Sequence, residues 1–234
     1  MLSVGECSGR SSHQSAPEAS DPVLTIDTTH TGLVIYYPLY TKIDLVCDTM
    51  PSKSDASVIL CCEAAYTGDA TEVFRHGNIL GDHVSAGARY KGIPSRRCTG
   101  AFIYYGGVHR FAYGDLSAAL DEAAAGGGMG FCQEMLIHEG VEVEHARKAT
   151  SKNYFRALCE LGGRVCVVDS AEWENFGSFM NKLKDLGVSE ALYLDMGMGW
   201  NHSWYRLYSD SEAVDIYPRA HDYTTNWITF YSTR

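Results

Sequence analysis

The chain has 234 residues, 45% of them hydrophobic, which is enough to build one substantial core. Its formal net charge of -10 gives a generic acidic surface and excludes a bulk electrostatic grip on nucleic acid or on an anionic membrane. No run approaches the ~18 apolar residues that a spanning helix requires, so no transmembrane segment is expected.

Residues 1–22 are rich in Ser and Gly and lack the apolar stretch of a signal peptide, which reads as a disordered leader ahead of a folded domain at 23–234. If the start were chosen too late, Cys7 would lie near a lipoprotein processing site, although "VGEC" fits the small-residue rule poorly. "VLTIDTTHTGLVIYYPLY" is a hairpin turned at "TTHTG". "KIDLVCD" and "SVILCCEAAY" follow as strands, the second continuously apolar and therefore central. "TGAFIYYGGVHRFAY" is a second hairpin with its turn at Gly106 and Gly107.

Asp115 caps a short helix that ends at Gly126–Gly128. This glycine run lacks the Gly-Lys-Ser/Thr ending of a phosphate loop and follows a helix, so it reads as a connector. "EMLIHEG" is the next strand. "RALCEL" and "RVCVVD" are strands joined by a Gly-Gly turn. Trp173, Phe176, Met180 and Leu183 then mark one face of a helix of about sixteen residues. Asp169 with Glu172 resembles a capping arrangement, Gly187 closes the helix, and "ALYLD" follows as a strand. The whole reads as an α+β single domain: a mixed, mostly antiparallel sheet with one strand-helix-strand crossover near the C-terminus. In such a unit both strands run the same way, so Asp169 and Asp195 emerge on one edge, where open α/β sheets bind ligands.

The eight cysteines form no C-x-x-C pair and no zinc spacing. Most sit in apolar runs as small hydrophobes, leaving room for one or two disulfides but not for a disulfide framework. "HEGVEVEH" lacks the H-E-x-x-H spacing of a zinc helix, and its alternating valines indicate a strand. No metal and no cofactor are expected.

The segment "FRALCELGGRVCVVDSAEWENFGSFMNKLKDLGVSEALYLDMG" resembles the phosphodiester glycosidase family. That family shows an arginine in an "R-T/A-A" strand, a "VVVDG" strand, a helix ending "LGA" and a "LNLDGGGS" turn. These are matched by Arg156 with Ala157, by "VCVVD" ending at Asp169, by "LKDLGV" and by "LYLDMGMG". More loosely, "CCEAAYTGD" stands where the family has an Asn-Gly-Gly turn, and "GNILGDHVSAG" resembles the stretch after it. Glu63, Ala64 and Ala65 replace that turn. Met196 and Met198 interrupt the second glycine run around Gly197, and Trp200 stands where the serine region would begin. Lost glycines at such turns change how closely backbone approaches a ligand.

The resemblance implies hydrolysis of a glycosyl phosphodiester or related glycan linkage, with a catalytically silent glycan-binding protein as the alternative. It also implies a carbohydrate or glycosyl-phosphate partner and a periplasmic or extracellular location. Glycoside hydrolysis uses two carboxylates. Asp195 is the first candidate, its alternative being a stabiliser of the "MGMG" turn, and Asp169 is the second, its alternative being a helix cap. Glu63, if buried in a cleft, becomes an acid; otherwise it is a strand-end surface carboxylate. Arg156 is either an anion binder or half of a structural ion pair. In "WNHSWYR", Trp200 and Trp204 suit sugar stacking or a core, and Asn201 and His202 suit hydroxyl contacts. His83 is a weaker substrate-site candidate that rests on the loop resemblance.

Overall fold

Turn chemistry and alternation decide most of the strands in the computed structural model, which describes residues 21–69, 75–197, 202–217 and 225–233. The leader expected at 1–22 falls outside these except for Asp21 and Pro22, and Pro22 bridges to Tyr208. β1 (Leu24–Asp27) and β2 (Leu33–Pro38) form the expected hairpin. β3 (Lys42–Cys47) and β4 (Val58–Glu63) follow. β4 is buried at every position and is the middle strand of its sheet, as its unbroken apolar run predicts.

A single 3-10 turn at His76–Asn78 precedes the short strands β5 (His83–Ser85) and β6 (Ala88–Tyr90). β7 (Gly100–Tyr105) and β8 (Val108–Tyr113) turn at Gly106 and Gly107, whose φ values of +56° and +83° are left-handed and match the tight hairpin turn read from the sequence. α1 (Leu116–Ala125) starts where the Asp115 carboxylate accepts the Ala118 N–H. The glycine run then leads into β9 (Met129–Gln133), a strand absent from the expected pattern. Gly130 hides it: a side chain there would press into Ile103 and Leu120, so the strand is built on a residue that usually signals a break.

β10 (Met135–His138), the edge strand β11 (Val141–Glu142) and β12 (Lys152–Asn153) precede the hairpin of β13 (Arg156–Leu161) and β14 (Arg164–Ser170). β15 (Glu174–Asn175), α2 (Phe176–Leu186), β16 (Glu190–Tyr193), β17 (Ser203–Tyr205), β18 (Val214–Tyr217) and β19 (Asn226–Tyr231) complete the chain. α2 spans 11 residues, shorter than the pattern predicts. Trp173 lies outside it and is exposed, because β15 occupies the residues just before the helix. Phe176, Met180 and Leu183 do form its buried face, joined by Phe179, and Gly187 ends it at φ +78°.

The described strands form an α+β domain of mostly antiparallel sheets with two helices. A seven-stranded sheet runs β1-β2-β14-β13-β16-β10-β11, and five-stranded sheets run β18-β17-β4-β19-β3 and β6-β5-β9-β7-β8. The expected crossover exists in a modified form. β14 and β16 each pair antiparallel with β13, so they are parallel to each other across it and not hydrogen-bonded neighbours. β14 is buried on both faces by alternation: Val165 and Val167 enter the central core with Leu158, Leu192 and Phe230, while Cys166 and Val168 meet α2. α1 covers Val84, Ala101 and Ile103. Burying each valine, leucine, isoleucine or phenylalanine among them contributes about 1.5–3 kcal/mol. The seven described cysteines are free thiols.

Candidate active site

The Gly162-Gly163 turn fixes the β13–β14 register and sets Arg156 directly opposite Asp169. The two side chains form a bidentate pair: Nε donates to Oδ1 at 2.5 Å and Nη2 to Oδ2 at 2.8 Å, with both residues almost fully buried. Arg156 Nη1 also donates to Ser203 Oγ at 2.5 Å, tying β13 to β17 in the neighbouring sheet. Asp169 is therefore neither a helix cap nor aimed at Asp195. Asn175 precedes α2 instead, and its side chain makes no capping bond. The arginine reads as a structural cation, the alternative noted from the sequence.

Asp195 lies two residues past β16 and is 8% exposed. Its N–H donates to Ala64 O at 2.9 Å, and its Oδ1 accepts the Gly197 N–H at 2.9 Å. Gly197 takes φ +49°, and its carbonyl accepts Asn153 Nδ2 at 2.9 Å, which fixes the turn. Burial, followed by the charge of Glu63, pushes the Asp195 carboxyl up to about 7, against the lowering pull of the Gly197 and Thr67 backbone bonds and of Arg147. Glu63 ends β4 at 1% exposure, so the strand-end carboxylate is interior and faces the same polar interior as Asp195. The carboxylates that the fold brings together are thus Asp195 and Glu63.

Sequence reasoning missed Arg147, Glu134 and Tyr66. Arg147 Nη2 donates to Tyr66 Oη at 2.6 Å, stands 3.7 Å from Glu134 Oε2, and lies 4.2 Å over the Tyr193 ring. Its positive charge acts on Asp195. No pattern marks "HARKAT" as a site, because Arg147 reaches it through a loop. Only the Asp195-to-Arg147 proximity in three dimensions reveals it.

The remaining expectations separate. Trp204 is fully buried in β17, packed with Val58, Cys61 and Trp227, so it is core and not a sugar platform. Strand alternation explains this, since β17 pairs with the central strand β4. The His202 N–H approaches Glu63 Oε1 at 3.4 Å, but its ring Nε2 sits 3.1 Å from Asp215, turned toward the surface. His83 is buried in β5 against His76 and Tyr90, so its ring contacts lie with those residues and not with Asp195. Trp200 and Asn201 lie outside the described residues. In "HEGVEVEH", His138 pairs with Glu190 and His145 with Glu142. An open groove of about 520 Å³ between Lys42, Tyr104 and Gly128 is lined by none of the expected site residues.

No protein-family model matches the chain, and no curated protein matches it. Among solved structures the fold is similar to that of the zebrafish N-acetylglucosamine-1-phosphodiester alpha-N-acetylglucosaminidase catalytic domain, auto-inhibited by its pro-peptide. The TM-score is 0.58 at 14% identity, covering 95% of this chain and 86% of that one. It is also similar to a hypothetical protein from Synechocystis, with a TM-score of 0.57 at 13% identity over 89% of this chain and 61% of that one. The chain thus has a fold resembling a phosphodiester glycosidase domain. No helix among the described residues is long and apolar enough to cross a membrane.

Proposed function

We propose that the protein is a hydrolase that cleaves a glycosyl phosphodiester, with Asp195 and Glu63 as its paired carboxylates and Arg147 as the anion-binding cation. One observation carries this reading: a buried carboxyl at Asp195, raised to about 7 by burial and by Glu63, beside a cationic side chain. Such an acid still holds its proton near neutral pH and can give it up there, which general acid catalysis requires. In the reaction the sugar C1–O bond breaks and water supplies the oxygen that ends on C1. Asp195 donates its proton to the departing phosphate oxygen, while Glu63 faces the developing positive charge on the sugar and takes up the proton that the attacking water loses. Arg147 offsets the phosphate charge. Asp169 and Arg156 contribute by holding β13 and β14 in register beneath the site. His202, through its N–H, orients Glu63. The likeness of fold supports a glycan-related substrate, and the neighbour's activity is the reason to test a sugar-1-phosphodiester.

The test is release of free sugar from a panel of sugar-1-phosphodiesters by the wild type, Asp195→Asn and Glu63→Gln, with folding followed by circular dichroism. Turnover that falls at least about a hundredfold in folded Asp195→Asn, roughly 2.7 kcal/mol of transition-state stabilisation, assigns the acid.

One feature favours a second reading, a silent glycan-binding protein. In place of a glycine turn open to a ligand, the backbone at Ala64 and Ala65 is already satisfied internally. Ala64 O accepts Asp195 N–H, and the Asn226 side chain bonds both the N–H and the carbonyl of Ala65. Glycan binding without turnover across the panel selects that reading.

A further inference from the structure

Cys47, His76 and His83 share no metal-binding spacing in the sequence, and they come from different elements: the end of β3, the 3-10 turn and β5. In the fold one ligand-capable atom of each lies within 4.8 Å of the others. His76 Nδ1 and His83 Nε2 are 2.8 Å apart, close enough that two neutral rings share a single proton between them. Around a tetrahedral zinc ion, with Zn–N about 2.0–2.1 Å and Zn–S about 2.3 Å, ligand atoms stand roughly 3.3–3.6 Å apart. Replacing the shared proton with a cation therefore asks the rings to separate by only about half an ångström.

The surroundings hold the set in place. The His76 ring stacks on Tyr90 at 3.5 Å with an interplanar angle of 5°, which fixes its plane. His83 is fully buried and paired in register with Tyr90 and Phe131. β3 is pinned to β5 by Ser85 Oγ donating to Leu45 O at 2.8 Å. The cluster thus sits on the seam between two five-stranded sheets, where β3 is the edge of one and β5 belongs to the other.

We propose that Cys47, His76 and His83 form a binding site for a borderline-soft divalent transition metal ion of the zinc type, which cross-links the two sheets. Two imidazole nitrogens and one thiolate are the donors such ions select over carboxylate and water sites. On binding, the Cys47 thiol releases its proton to solvent as the sulfur–metal bond forms. The proton held between the rings passes to the other nitrogen of its own imidazole, so both histidines bind as neutral ligands. The site is independent of the hydrolase reading, since none of its ligands belongs to the Asp195 cluster.

The test is zinc binding by the whole chain, stripped with a chelator and titrated with Zn²⁺, with bound metal counted by mass spectrometry and stability followed by thermal unfolding. One Zn²⁺ per chain and a raised Tm are expected. Cys47→Ser and His76→Gln should each weaken binding by at least about tenfold, while Cys98→Ser binds as the wild type does. Co²⁺ in place of zinc should give a near-ultraviolet sulfur-to-metal band that Cys47→Ser lacks. If Cys47→Ser does not fold, His76→Gln, at a partly exposed position, decides the matter. A wild type that takes up no zinc, or a folded His76→Gln variant that binds it as tightly as the wild type, overturns the proposal.

Discussion

Arg156 and Asp169 face each other across the β13–β14 hairpin and close a two-bond fork at 2.5 and 2.8 Å in the interior of the domain. A charge held there has no water to turn to. Losing one partner leaves the other uncompensated, which costs about 3–5 kcal/mol, whereas replacing both with well-packed apolar residues is close to neutral. Asp169→Asn should therefore lower the stability in urea unfolding by about that amount, and Arg156→Met with Asp169→Leu should recover most of it. A single variant as stable as the wild type would rule out the pair as a structural fastener.

Asp195 gives stability a pH dependence of definite sign. Its carboxyl is raised from 3.8 to about 7, so between those values the folded chain holds a proton that the unfolded chain has lost. This stabilisation is fully present below about pH 4 and is lost as pH rises through 7. At about 1.36 kcal/mol per pKa unit, the rise corresponds to at most roughly 4 kcal/mol. Measured by urea unfolding from pH 4 to 7, Asp195→Asn should gain stability relative to the wild type as pH increases. The comparison cancels the titration of groups that do not interact with Asp195, and a difference that stays constant across the window would contradict the assignment.

How far the sequence reaches can be seen in these same residues. The Gly106-Gly107 and Gly162-Gly163 turns make their hairpins legible because two left-handed residues fix both turn type and register. That register already implies the ion pair: counting back from the Gly162-Gly163 turn places Arg156 opposite Asp169, a signal in the sequence that a helix-cap reading passes over. Glu63 and Asp195 were both legible as strand-end carboxylates, but their meeting was not, since it depends on how β4 and β16 of two different sheets approach. Trp204 shows the reverse limit. Ring-and-polar alternation looks the same in a binding loop and in a strand, and pairing with β4 decides for the core.

Coupling between the two carboxylates is directly measurable. The Glu63 charge raises Asp195, so Glu63→Gln should move the Asp195 titration below about 7, as followed by NMR of carboxyl-labelled aspartate. The readout needs no substrate. If turnover survives, the alkaline limb of kcat/KM should shift to lower pH in step, because less of the acid remains protonated. An Asp195 titration that does not move would place the two groups too far apart to act as a pair.

Arg147 acts on Asp195 in the opposite sense. Its guanidinium lowers the carboxyl, so Arg147→Gln should raise the Asp195 titration above about 7 and at the same time weaken binding of inorganic phosphate, a probe of the anion site. Arg147→Lys keeps the charge and should restore the titration most of the way. It should not restore phosphate affinity, because a lysine cannot reproduce the planar fork that donates to Tyr66 while lying over the Tyr193 ring. Titration restored without affinity separates the charge of Arg147 from its shape, and equal rescue of both would reduce its role to a simple counter-charge. Loss of neither in Arg147→Gln would remove the residue from the site.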